Sequence, residues 1–218
     1  MKNIPRIFIG KNIAPGDKIA IEKSVSHYLT HVMRRNDCLA FGDGHEYVAN
    51  LSDDGKFLIV GNQTSHIDPS NDITLYFAPI KKTDDLLNMA TQMGVGRFVP
   101  VITERTVANH INWERMKKIV AEAAEQSNRN SVPEIAMPIK FADLPFSDLV
   151  FADERAAYGA DLPREIDGAK NILIGPEGGF SDAEFSALDA GGARGISLGK
   201  TILRAELAGV VAISRVAK

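Results

Sequence analysis

From residue 73 to the C-terminus the sequence alternates short apolar runs with amphipathic stretches, and this alternation constrains the fold more than any other feature. The apolar runs at 73–78, 97–102, 149–152, 171–174 and 195–198 have the length of buried strands. The clearest helix spans 113–126, with Trp113, Met116, Ile119, Val120, Ala123 and Ala124 along one stripe and charges opposite. A helix over 84–93 ends at Gly94, and a last one is expected over 203–216. Strands that alternate with helices predict an α/β fold with a parallel sheet covered by helices.

The first seventy or so residues read differently. Runs with β character at 6–9, 18–21, 38–41, 46–51 and 57–60 are separated by the turn formers Pro15-Gly16-Asp17, Gly42-Asp43-Gly44 and Asp53-Asp54-Gly55. They predict a small barrel or sandwich. One helix interrupts it over 26–34, where Leu29, Val32 and Met33 fall at helical spacing. The polar, turn-rich stretch 61–72 marks the boundary, giving one domain over 1–70 and a second over 73–218.

With 218 residues and 44% hydrophobic content, each domain can bury a core. No run approaches the roughly 18 apolar residues of a membrane span. The apolar run near the start is too short for a secretory signal, so the chain reads as cytoplasmic. Cys38 is the single cysteine, which excludes an internal disulfide and a thiolate zinc site; it reads as a buried, inert thiol. Against 28 Asp and Glu stand 25 Lys and Arg, and the net charge of -3 argues against tight binding to naked RNA through phosphates alone. The pairs Arg34-Arg35 and Lys81-Lys82 can form local basic patches, although charged pairs are usually solvated surface. Histidines 27, 31, 45, 66 and 110 form no H-E-x-x-H, and His27 with His31 lacks a third ligand, so no metal is expected. No G-x-S-x-G elbow is present.

Two glycine-bearing turns follow the last two expected strands, at the carboxyl ends where ligand crevices form in open α/β sheets. The first is Gly175-Pro176-Glu177-Gly178-Gly179-Phe180, after Ile172-Leu173-Ile174. Glycine lets a backbone take left-handed angles and approach a ligand closely. Ser181 followed by Glu184 is a capping-box pattern, so a helix should start there and end at Gly191-Gly192. The second turn is Leu198-Gly199-Lys200-Thr201-Ile202-Leu203-Arg204-Ala205-Glu206. Its Gly199-Lys200-Thr201 is not a P-loop, because Gly195 stands one place too close and Arg194 occupies the required position. The spacing of Gly175 to Gly179 likewise excludes a dinucleotide fingerprint.

These motifs resemble those of the RsmE-type 16S ribosomal RNA uridine-N3 methyltransferases of the SPOUT superfamily. The likeness rests on Gly175 to Phe180, then Leu198-Gly199 and Ile202-Leu203-Arg204-Ala205-Glu206, in this order. It extends to Pro5-Arg6-Ile7-Phe8, His27-Tyr28-Leu29, Val32-Met33-Arg34, Ala90 through Val95, Glu104-Arg105-Thr106, and Glu125-Gln126-Ser127-Asn128-Arg129 before Val132-Pro133.

The resemblance implies an N-terminal PUA-like β-barrel that binds RNA and a C-terminal α/β-knot catalytic domain with a deep trefoil knot. It also implies S-adenosyl-L-methionine as cofactor, a homodimer with sites at the interface, and 16S ribosomal RNA as partner, within the small ribosomal subunit. Carried over by position, Ile174, Gly175, Glu177, Gly178 and Gly179 would line one side of the cofactor cleft. Leu198, Gly199, Ile202 and Leu203 would hold the adenine from the other. Two positions depart from the family's Leu-Arg-Thr-Glu-Thr-Ala: Ala205 and Leu207 replace the threonines. Asn36 stands before Asp37 where the family has glycine in a turn, and asparagine tolerates left-handed angles.

Methylating uridine N3 requires loss of an imide proton and alignment of the nitrogen with the methyl group. In this reading Arg204 stabilises the developing uridinate, and Glu206 orients Arg204 or relays the proton; the alternative is a structural Arg204–Glu206 ion pair at a helix start. N3 lies on the pairing edge, so the target must be unpaired or flipped. Arg6, Arg34 and Arg35 are the candidates for RNA backbone contacts, with Arg105 reaching the substrate from the catalytic domain. A non-catalytic RNA-binding assembly factor on the same fold is the competing reading, and a nucleotide-dependent enzyme is disfavoured by the failed motif counts.

Overall fold

The computed structural model describes residues 4–10, 13–42, 44–68, 72–107 and 112–216. His110, Asp43 and residues 69–71 of the expected boundary lie outside them. By its contacts the chain divides into two units, Met1–Ser70 with Ala121–Val132, and Asn71–Val120 with Pro133–Lys218. The sequence reading assigned 73–218 to the second domain throughout; a segment of twelve residues inside that range instead clusters with the first.

The first unit holds strands β1 (Arg6–Phe8), β2 (Lys18–Ala20), β3 (Asp37–Gly42), β4 (His45–Leu51) and β5 (Phe57–Gln63). They form one sheet in the order β1-β3-β4-β5-β2, with β1 parallel to β3 and the other pairs antiparallel. The sequence predicts a small barrel or sandwich here, and the family resemblance implies a barrel. Among the described residues β1 and β2 are instead two edges of an open sheet, and at three residues each they offer few ladder bonds for closure. Cys38, Ala40, Ala49 and Leu58 alternate inward and pack with Ile7 and Leu29. Burial pushes the Cys38 thiol up to about 12, which leaves it unreactive.

Helix α1 (Lys23–His27) continues as a π-helical turn over Tyr28–Met33. The expected helix face is therefore broken: wider winding keeps Leu29 fully buried while Val32 is 62% exposed. Arg34 ends the turn in the left-handed conformation at φ 54°. Asn36, the residue expected to take that conformation, does not: Arg34 and Asn128 are the only non-glycine residues with positive φ among those described.

Arg6 ties residues 121–132 to this sheet. Its Nε donates to Glu46 Oε2 at 3.0 Å, Nη1 to the carbonyls of Ala124 and Arg129, and Nη2 to Asn130 Oδ1 at 2.6 Å. Asp68 adds a second tie, accepting from the backbone N–H groups of Asn130 and Ser131 at 2.7 and 2.8 Å.

The second unit contains β6 (Thr74–Phe77), α2 (Thr83–Gln92), β7 (Arg97–Ile102) and the start of α3 (Trp113–Gln126). It continues with β8 (Glu134–Ile135), β9 (Ile139–Lys140), β10 (Leu149–Ala152), β11 (Asn171–Ile174), α4 (Asp182–Ala190), β12 (Arg194–Ile196) and α5 (Ala205–Val216). The sheet order is β12-β10-β11-β6-β7-β8, with β9 also on β7, and every pair is parallel. The central strands β10 and β11 are buried along nearly their whole length, as unbroken apolar runs require in a sheet covered on both faces. Phe151 and Leu173 from these strands meet Val101, Phe180 and Leu188 in the core. Strand β12 ends earlier than expected, because Ser197 leaves the sheet to donate its N–H to the carbonyl of Pro163 at 2.8 Å.

Replacing Arg6 by alanine would leave Glu46, whose side chain is 5% exposed, as a buried charge without its partner. A loss of about 3–5 kcal/mol is expected in urea denaturation, and lysine, which keeps the charge but not the fork, should restore part of it.

Candidate active site

The carboxyl ends of β6, β10, β11 and β12 converge on a cleft of about 440 Å³, within the usual range for small-molecule sites. The turn after β11 forms one wall. Gly179 N–H donates to the carbonyl of Pro176 at 3.0 Å, and Gly179 sits at φ 69°. A Cβ on Gly175 would press within 3.0–3.3 Å of the Phe180 ring, and one on Gly179 would collide with the Glu154 carboxylate. Phe180 is buried and packs edge-on against Phe151 and Phe185, so the ring cannot yield.

Polar ties hold this turn from three sides. Arg105 Nη1 donates to the carbonyls of Gly178 at 2.8 Å and Phe180 at 3.2 Å. Glu177 Oε1 accepts the Lys81 N–H at 2.9 Å, fastening the turn to the loop after β6. Ser181 and Glu184 form the expected capping box of α4, and the second oxygen of Glu184 accepts the Glu104 N–H at 2.9 Å.

The loop after β12 forms the opposite wall. Arg215 on α5 donates to the carbonyls of Ser197 and Leu198, which aims Leu198 and Gly199 toward the cleft. Gly199 takes φ 136°, and Ile202, 60% exposed, presents an apolar surface at the mouth.

Eight of the nine residues expected to hold a cofactor line this cleft: Ile174, Gly175, Glu177, Gly179, Leu198, Gly199, Ile202 and Leu203. Gly178 is the exception. It is exposed and does not line the cleft, and a Cβ there would lie 3.5 Å from the Arg105 side chain. Arg204 lines the cleft with no ion-pair partner among the described residues. The alternative reading, a structural Arg204–Glu206 ion pair, is not found among the described residues; Glu206 lies 3.7 Å from Lys82 Nζ. Of the two departures from the family pattern, Ala205 lines the cleft, whereas Leu207 does not and is 47% exposed.

The cleft also contains residues that the sequence reading passed over. Lys81 and Lys82, which the sequence offers only as solvated surface or a local basic patch, line it, as do Asp153 and Glu154. Their signal was available: each pair follows an apolar strand at its carboxyl end. Asp153 is fully buried and held by Arg155, which also grips Asp189. Burial pushes the Glu154 carboxyl above its usual range, and Asp153 adds to this while Arg105 opposes it.

Among the RNA candidates, Arg6 is spent internally: its side chain is 7% exposed and all its donors point into protein, so it is not free for a phosphate. Arg35 makes a two-pronged ion pair with Asp37. Arg34 is exposed, and Arg105 braces the glycine turn. His27 and His31 stack with ring centroids 4.6 Å apart, and no metal-ligating cluster exists among the described residues.

A family described as an RNA methyltransferase domain matches residues 68–217. The chain belongs to this family. A ribosomal RNA small subunit methyltransferase E from Rickettsia conorii is 33% identical over 229 residues, covering 97% of this chain and 94% of that one. Its counterpart in Aquifex aeolicus is 32% identical, covering 88% and 90%. Among solved structures, the ribosomal RNA small subunit methyltransferase E of Neisseria gonorrhoeae bound to S-adenosyl methionine aligns with a TM-score of 0.81 at 26% identity, covering 97% of this chain and 96% of that one. For this RNA methyltransferase the two glycine turns are thus the part of the fold to perturb.

Gly179→Ala should lower the melting temperature by about 2–8 °C in calorimetry, since a left-handed alanine costs about 1–2 kcal/mol before any clash with Glu154. Gly178→Ala, with ordinary contacts and no positive φ, should change it by less than about 2 °C.

Proposed function

We propose that this chain transfers a methyl group from S-adenosyl-L-methionine to N3 of a uridine in 16S ribosomal RNA of the small subunit. The observation that carries the reading is the cleft between two glycine turns at the ends of parallel strands, with one apolar wall and one backbone-rich wall. The residues fit such a donor. The apolar edges of Ile174, Leu198, Ile202 and Leu203 suit an adenine, and Gly175 and Gly179 keep their wall clear of Cβ atoms. The likeness to proteins named for small-subunit ribosomal RNA methylation, one bound to S-adenosyl methionine, supports both donor and substrate class.

When bound, the cofactor supplies an electrophilic methyl on a sulfonium. The chain's own residues do the rest. Ile174, Gly175, Glu177 and Gly179 on one side and Leu198, Gly199, Ile202 and Leu203 on the other hold the donor between them and exclude water from one side each. Arg204, in the cleft and without an ion-pair partner among the described residues, stabilises the uridinate that forms when N3 loses its proton. Glu206, which also lines the cleft and lies 3.7 Å from Lys82 Nζ, relays the N3 proton to solvent.

Further parts of the reading follow the family resemblance. The first unit is a PUA-like RNA-binding module, with Arg34 as its exposed candidate cation. The C-terminal segment threads a trefoil knot; the bonds from Ser197 and Arg215 to the carbonyls of Pro163 and Arg164 are consistent with the last segment running against the β10–β11 connection. The enzyme works in the cytoplasm as a homodimer.

Reverse-transcription mapping of small-subunit RNA from cells with and without the protein tests the substrate: one uridine stop should vanish on deletion and return on complementation. Arg204→Ala should keep cofactor affinity within about threefold while single-turnover methyl transfer drops by about a hundredfold or more. Equal loss of both would refute the role given to Arg204.

A further inference from the structure

Four carboxylates line the cleft, and three of them are already committed. Asp153 is bound by Arg155, Glu177 accepts the Lys81 N–H, and Glu206 faces Lys82. Glu154 differs. No hydrogen bond or ion pair holds its carboxylate among the described residues, although the group is half-buried and lies against Gly179 on the wall after β11. It is placed there by the short helix Glu154–Tyr158, whose start is capped by Asp153 accepting the Arg155 N–H. A partly buried carboxylate without a partner is costly unless a ligand supplies the missing positive charge.

We infer that Glu154 is the counter-charge for the sulfonium of the methyl donor, and that it makes the cleft prefer the charged donor over its neutral thioether product. This rests on the methyltransferase reading above. After transfer the sulfur is uncharged, so the attraction that held the donor disappears and the spent cofactor is released more readily. The other charges around the cleft do not substitute for Glu154. Lys81, Lys82 and Arg204 repel a cation, Arg105 is turned to the carbonyls of Gly178 and Phe180, Asp153 and Glu206 face Arg155 and Lys82, and Glu177 is exposed, where solvent screens its charge.

The pH dependence has a definite sign. In the empty cleft burial holds the Glu154 carboxyl above its ordinary range, with Asp153 raising it further and Arg105 lowering it. A nearby cation favours the charged form, so donor binding should release protons over the pH range in which the empty cleft's Glu154 carboxyl titrates. Affinity for the donor should fall as pH drops through that range. Affinity for the thioether should not follow it.

Calorimetry with the full-length protein tests this without measuring activity. In wild type, S-adenosylmethionine should bind with proton release, read from buffers of different ionisation enthalpy, and S-adenosylhomocysteine without it. Glu154→Gln should weaken S-adenosylmethionine about tenfold and change S-adenosylhomocysteine less than about twofold, and Glu154→Asp should recover part of the difference. Retained binding of the thioether shows that the variant's cleft is intact. Equal weakening of both ligands overturns the inference, as does equal proton release with both in wild type. If wild type binds neither, the methyl-donor reading itself fails, which is a separate result.

Discussion

The site depends on a steric constraint in the turn after β11. A backbone that passes over the Phe180 ring at Gly175, and under the Glu154 carboxylate at Gly179, has no room for a Cβ at either point. Phe180 cannot move aside because it is a member of the core that holds Phe151 and Leu173 at the centre of the sheet. The turn is thus pressed against the core of its own unit, and the cleft it borders inherits that rigidity. Arg105, Glu177 and Ser181 then fix its carbonyls, its link to β6 and the helix that follows.

Charge in this molecule is arranged locally. A net charge of -3 predicts poor affinity for polyanions, yet Lys81, Lys82 and Arg204 gather at one cleft that Asp153, Glu154, Glu177 and Glu206 also line. Such an arrangement suits a cationic small molecule held inside and a polyanion approaching from outside. The arginines of the first unit serve structure in two of three nominated cases. Arg6 satisfies carbonyls and a buried carboxylate, and Arg35 is closed on Asp37.

Much of the catalytic unit was legible because its signals are local. Strands β7, β10 and β11 occupy the residues that their apolar runs marked, since a strand buried on both faces needs an unbroken apolar run and little else does. The capping box at Ser181 and Glu184 depends on two residues three apart. The first unit was less legible. The π-helical turn after α1 spoils the 3.6-residue period that placed Val32 inward, and Arg34 took the left-handed angle offered to Asn36.

Sequence alone determined the α/β character of the second unit and the two glycine turns, because each is written in neighbouring residues or in a short period; the individual cleft residues were implied only by the family resemblance. Tertiary structure decided which charges are free. Arg6 meets residues more than a hundred positions away, Glu206 meets Lys82 and not Arg204, and Glu154 alone among the cleft carboxylates is left unpartnered among the described residues. Pairing between distant side chains depends on where the folded backbone brings them, and no local pattern records it.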